Sequence, residues 1–249
     1  MIVRNEKDYQ GICQAAQIAA RVLAEVSRFL RPGLKTKEVD AYAAERIAAY
    51  GGRSAFLGYR GYPRHICISV NDEVVHGIGS DRVLQLGDIV SLDVGVYYKG
   101  FIGDTAATVP VGWCGNVERR LIQVTREALY KGIEQARAGN RVRDISRAIQ
   151  QHVEAAGFNV VREFVGHGVG RKVHEEPQIP NFVDGRQQSP KLIPGMVLAI
   201  EPMVNAGGAA VRILPDGWTV VTADGSPSAH FEHTVLVREG DPEILTWVE

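Results

Sequence analysis

Cysteine is scarce: Cys13, Cys67 and Cys114 are the only three in 249 residues and form no CxxC, so neither a disulfide framework nor a thiolate zinc site is indicated. A reducing cytoplasm fits that usage. An excess of one charge is also lacking, since 28 Lys and Arg stand against 29 Asp and Glu, and nothing electrostatic points to a nucleic-acid or membrane-surface partner. No run approaches the roughly 18 apolar residues that a membrane-spanning helix requires. The opening MIVRNEKDYQ is charged where a secretory signal would be apolar. What is present, 45% hydrophobic and 7% aromatic residues, describes a globular chain, one large domain or two joined halves, suited to acting on a small substrate or a peptide.

Apolar residues recur at helical spacing from Ile12 to Leu30, where Arg31-Pro32-Gly33 supplies the stop, and again from Glu38 to Tyr50 ahead of Gly51-Gly52. From Ile66 to Pro110 the pattern changes to short β-rich runs, ICISV, IVSLDVGV and TAATVPV. The order then starts afresh after Trp113. A shift of 106 positions carries Gly33 onto Gly139, Val39 onto Ile145, Ile47 onto Val153 and Gly51 onto Gly157, while GDIVSLD and GMVLAIE match at a shift of 108. These correspondences predict a single α+β domain over residues 1–249, built of two pseudo-symmetric halves, approximately 10–113 and 114–249.

The chemistry is concentrated in acids that sit on apolar strands. Asp93 shares a face of IVSLDVGV with Ser91 and Gly95, opposite Val90, Leu92 and Val94, and the next run carries Asp104. A hairpin centred on Tyr98-Lys99 would set Asp93 and Asp104 directly across the ladder, although Gly100 equally allows a slip of one or two residues. The second half repeats the anomaly: Glu201 ends the strand MVLAI, and Glu232 falls mid-run in AHFEHTVLV, sharing a face with Thr234 while Phe231, His233 and Val235 take the other. A single strand acid ordinarily marks a solvated face, and a single His between glycines a loop. Here two acids in each half face a shortage of cations, with only Lys99 and Arg212 near any of the four strands. Buried carboxylates need protonation, pairing or a bound cation. His167, in EFVGHGVG, adds an imidazole, and this oxygen-rich set suits two adjacent divalent ions better than one structural zinc. His65, His152, His230 and His233 read as ordinary loop or surface histidines.

The stretches SVNDEVVHGIG, SLDVGVYYKGFIGDTAAT, GHGVGRKVHEEPQIPN, LAIEPMV and FEHTVLV, in that order over essentially the whole chain, resemble the type I methionine aminopeptidases of the pita-bread fold. The resemblance implies a curved antiparallel sheet with helices outside it, and a site holding two divalent ions (Co, Mn, Fe or Zn). It makes Asp93, Asp104, His167, Glu201 and Glu232 the metal ligands, with Asp104 and Glu232 bridging both ions. It further implies that His76 holds the substrate backbone, that His174 hydrogen-bonds the scissile carbonyl, and that Glu201 relays a proton. Tyr59, Tyr62, Cys67 and Trp218 match positions that line the methionine pocket. Phe56 stands where many bacterial members carry a smaller residue, and Val173 where many have Phe, so the shape of that pocket is where this chain departs from the pattern.

The implied activity is removal of the first methionine from nascent polypeptides with a small second residue, by a cytoplasmic monomer in transient contact with the ribosome, with no direct nucleic-acid or membrane partner. A proline-specific relative, an Xaa-Pro aminopeptidase or prolidase, shares the fold and ligands but usually carries an extra N-terminal domain. A non-enzymatic pita-bread binding protein typically loses ligands, and all five are present here.

Overall fold

Asn5 accepts a hydrogen bond from the Asp8 N–H and opens α1 (Glu6–Phe29) well ahead of Ile12, where apolar periodicity begins. The first turn is solvated and acidic, which suits the positive end of the helix but leaves no hydrophobic stripe to read. Likewise α2 (Thr36–Ala49) starts before Glu38, because Glu38 is its third residue and its carboxylate accepts the Lys35 N–H. The second pair is α3 (Asn116–Ile133) and α4 (Val142–Ala155). The computed structural model describes residues 1–183, 185 and 189–247, so the predicted span of 1–249 includes six positions outside the described residues.

Between the helix pairs lie antiparallel sheets. Strands Ile89–Tyr98 and Phe101–Pro110, ten residues each, form a hairpin closed by Lys99 and Gly100, both at positive φ (46° and 91°). That pair of left-handed residues is the two-residue turn whose twist matches a hairpin. Strands Arg53–Ser54 and Cys67–Val70 pair with the other edge of Ile89–Tyr98. A five-stranded sheet in the second half runs Glu243–Ile244, His233–Leu236, Val197–Ile200, Gly166–Gly168, Glu175–Ile179. Helix α1 lies directly on Phe101–Pro110, so close that a Cβ at Gly103 would overlap the backbone of Ala15 and Ala16.

The two helix pairs are joined alike. Gly33 and Gly139 both take left-handed φ (89° and 93°), and the Glu38 and Asp144 carboxylates accept the N–H groups of Lys35 and Arg141 at the starts of α2 and α4. Val39 and Ile47 are buried in one core, Ile145 and Val153 in the other. The halves are joined through the residues that flank the site. The Asp104 N–H donates to Thr234 Oγ1 (3.1 Å), whose hydroxyl donates to the Asp104 carbonyl (2.7 Å). Ala106 and Glu232 form a backbone bridge, and the Thr105 hydroxyl donates to the Glu232 carbonyl. No helix of the described residues is long and apolar enough to cross a membrane.

Candidate metal centre and active site

Asp93 and Asp104 project from the same face of the hairpin, but they are not opposite one another. Asp93 faces Ala106, and Asp104 faces Gly95. The turn closes at Lys99-Gly100, one residue later than the predicted Tyr98-Lys99, and this shifts the ladder by two positions while preserving which face each side chain takes. The acids are therefore diagonal neighbours. Glu201 follows the last residue of strand Val197–Ile200.

Glu232 departs further from expectation. AHFEHTVLV is two strands, Ser228–His230 and His233–Leu236, which belong to different sheets. Phe231 and Glu232 span the crossing and are both buried (8% and 2% exposed), so strict alternation does not hold there. The chain leaves its pairing with Met203–Asn205 and joins Val197–Ile200, which turns Glu232 inward between the two sheets.

His167 sits mid-strand between two glycines because its neighbours crowd the backbone: a Cβ at Gly166 would strike the Ala199 carbonyl, and one at Gly168 the Glu176 carbonyl. Its Nδ1 lies 2.9 Å from the Gly168 carbonyl oxygen. A carbonyl only accepts, so Nδ1 carries the proton and Nε2 presents its lone pair. That lone pair faces Glu201 Oε1 at 3.2 Å. Two acceptors pointed at one another call for a cation between them, or for a proton.

The rest of the cluster has the same deficit. Donor atoms of Asp104, His167 and Glu232 lie within 4.8 Å of one another. Asp93 Oδ1, Asp104 Oδ1, Glu201 Oε1 and Glu232 Oε1 are buried without a hydrogen-bond partner. Among the described residues the ion-pair contacts of these four acids are with His167 and His230 alone, and no Lys or Arg reaches them. Burial first, then the mutual repulsion of the acids, pushes Asp93, Glu201 and Glu232 well above the usual carboxylate range. Burial takes Asp104 to about 7. His167 is driven down to about 3, chiefly by desolvation, and stays neutral as a ligand must. Oxygen donors with one neutral imidazole fit a divalent metal.

Above this cluster opens a cavity of about 230 Å³. Tyr59, Tyr62, Cys67 and Trp218 all line it, as do Phe56 and Val173. Tyr62 meets Trp218 edge to face at 5.1 Å, and the Tyr62 hydroxyl is fixed by the carbonyls of Ile66 and Gly77. The Phe56 ring rests over Gly95, where any Cβ would collide with it.

Both predicted non-ligand imidazoles are here as well. His76 stands between Phe164 (5.5 Å) and Trp218 (6.3 Å) and holds a left-handed φ of 60°, a strained backbone for a residue with a side chain. His174 hydrogen-bonds Tyr59 through Nδ1 (2.9 Å) and packs 4.3 Å from the His167 ring. Desolvation lowers His76 to about 4 and lowers His174 too, so both are neutral near pH 7. The turn before His174 is clamped by Glu175, whose carboxylate accepts the N–H groups of Arg171 and Lys172 and pairs with the Met1 α-ammonium at 2.8 Å.

Two neighbours of the site escape sequence reasoning. Phe164 lies in a loop with no periodic pattern to mark it. His230 is one of several histidines without a distinguishing motif, yet it is 2% exposed and directs Nε2 toward Glu201 Oε2 at 3.7 Å.

The sequence profile of metallopeptidase family M24 matches residues 10–239. The chain belongs to metallopeptidase family M24. Within M24 it is 50% identical over 250 residues to a methionine aminopeptidase of Clostridium perfringens (strain 13 / Type A), with all of both chains covered. Methionine aminopeptidase 1 of Bacillus subtilis (strain 168) is 49% identical, again over the whole of both chains. A crystal structure of methionine aminopeptidase from Thermotoga maritima superposes with a TM-score of 0.95 at 44% identity, covering 100% of each chain. These likenesses place the chain among the methionine aminopeptidases of M24, with their pita-bread fold.

Proposed function

We propose that the protein hydrolyses the bond after an N-terminal methionine, using two divalent ions held by Asp93, Asp104, His167, Glu201 and Glu232. The observation that carries this reading is the set of partnerless carboxylate oxygens and the His167 lone pair on the floor of an aromatic cavity. Divalent cations supply a water acidic enough to act as nucleophile near neutral pH. The chain's own residues do the remainder. A slot walled by Tyr59, Tyr62, Cys67 and Trp218 takes the flexible thioether. His76 holds the substrate backbone, and His174, oriented by Tyr59, donates to the scissile carbonyl oxygen as charge develops there. Glu201 accepts the proton of the attacking water and passes it to the leaving amine.

The preference for a small second residue belongs to this reading, as do a cytoplasmic monomer, nascent chains as substrate and transient ribosome contact; these follow from the family resemblance. The domain reading, two related halves over about 10–113 and 114–249, is supported by the matching caps of α2 and α4 and the matching glycines before them.

The test is cleavage of Met-X and X-Pro peptide panels by protein reconstituted with Mn, Co, Fe or Zn, alongside calorimetric titration of each metal. Release of Met from Met-Ala-Ser with a stoichiometry near two supports the proposal. Cleavage confined to X-Pro peptides, or no binding at micromolar metal, overturns it.

A further inference from the structure

His230 ends the strand Ser228–His230, and its backbone is fixed on both sides by one residue of the other half. Its N–H donates to Thr108 Oγ1 (2.8 Å), and its carbonyl accepts from the Thr108 hydroxyl (2.9 Å). The hydroxyl of Thr108 is also within 2.8 Å of Ser91 Oγ, so the anchor itself is tied into the hairpin that carries Asp93 and Asp104. The imidazole is 2% exposed, and its Nε2 has no hydrogen-bond partner. A buried polar nitrogen left unpaired is costly, so a site of this kind is expected to provide it with a partner.

The available partner is Glu201. Its two oxygens face different ways: Oε1 lies 3.2 Å from His167 Nε2, on the side of the acidic cluster, while Oε2 lies 3.7 Å from His230 Nε2. The second distance is beyond a hydrogen bond, and a small rotation of the carboxylate closes it. A carboxylate that engages a cation through one oxygen can still swing about its last torsion unless the other oxygen is held. In metal sites such holding partners orient the ligand, and their loss typically weakens metal affinity or activity about 10- to 100-fold.

We propose that His230 is a positioning residue for Glu201, donating its Nε2–H to Oε2 while Oε1 serves the metal. This inference rests on the proposed role of Glu201 as a ligand. It assigns a function to a histidine that sequence patterning places among the ordinary ones, and it adds a third point, beside the Glu232 bridge and the Thr234 bonds, at which one half disciplines a donor in the centre.

Three substitutions test it: His230→Leu removes the donor, His230→Asn keeps a donor too short to reach, and His230→Gln keeps one that reaches. The readouts are calorimetric Mn(II) affinity, the visible absorption of the Co(II)-loaded protein, and the separate kcat and KM for Met-Ala-Ser, with circular dichroism to establish folding. Leu and Asn should each weaken Mn(II) binding about 10-fold or more, shift the Co(II) spectrum and lower kcat with little change in KM, while Gln should recover affinity to within about threefold of the parent. Wild-type affinity and an unchanged Co(II) spectrum in the Asn variant would overturn the proposal, and so would a folded Gln variant no better than Asn. If the parent protein itself binds no Mn(II), it is the ligand role of Glu201 that fails, an outcome distinct from variants that match a metal-binding parent.

Discussion

Asp104→Asn should stabilise the protein in chelator and remove its stabilisation by metal. Burial raises the Asp104 pKa from 3.8 to about 7, so the folded chain holds a proton there that the unfolded chain has already lost at neutral pH. Because the native state binds more protons, stability falls as pH rises from about 4 to about 7 and is level above that. At about 1.4 kcal/mol per pH unit the interval is worth at most about 4 kcal/mol at pH 8. Asn preserves the shape and can still accept the backbone hydrogen bond from Thr105. For a chain of this size, each 1 kcal/mol gained raises Tm by roughly 2–4 °C. Thermal unfolding followed by circular dichroism in EDTA should therefore show the variant ahead at pH 8, with its advantage cut to less than about half at pH 5. With Mn(II) at about 100 times Kd the parent should gain about 2.7 kcal/mol, and the variant, short of a ligand, much less. A variant that is less stable than the parent in EDTA at pH 8, or an advantage that does not change with pH, would refute the argument.

His76→Ala should leave metal affinity within error of the parent, since the imidazole is not among the donors, and lower kcat on Met-Ala-Ser about 100-fold; full retained activity contradicts its substrate role. Gly95→Ala should push the Phe56 ring into the cavity, costing about 1–3 kcal/mol of stability in urea unfolding and raising KM for methionyl peptides, with metal affinity unchanged. Glu175→Ala removes the acceptor for two N–H groups and the partner of Met1, and should lower kcat about 10-fold by loosening His174; a rate equal to the parent's would separate the clamp from catalysis.

The five candidate donors stand out in the sequence because each is an acid or imidazole where an apolar strand or a tight glycine pair has no other use for it, and because the second half repeats the first. The helix pairs were legible in their apolar stripes and terminal glycines. Less could be read where position depends on a single turn residue. The offset of Asp93 from Asp104 hangs on whether the hairpin closes at Lys99 or one residue later, and alternation is blind to that choice because both registers keep the two acids on one face. The break at Phe231-Glu232 was hidden for another reason: two short strands in succession read as one long one when the chain changes sheets without a Gly or Pro. His230 and Phe164 acquire meaning only from partners far away in sequence, Glu201 for one and His76 for the other.

The donors of the centre are braced from behind by main-chain and threonine contacts that involve no ion: Asp104 by Thr234, Glu232 by Ala106 and Thr105. None of these contacts uses a carboxylate oxygen, so exchanging Asp104 or Glu232 for its amide alters the side chain offered to the site while the seam between the two halves stays stitched.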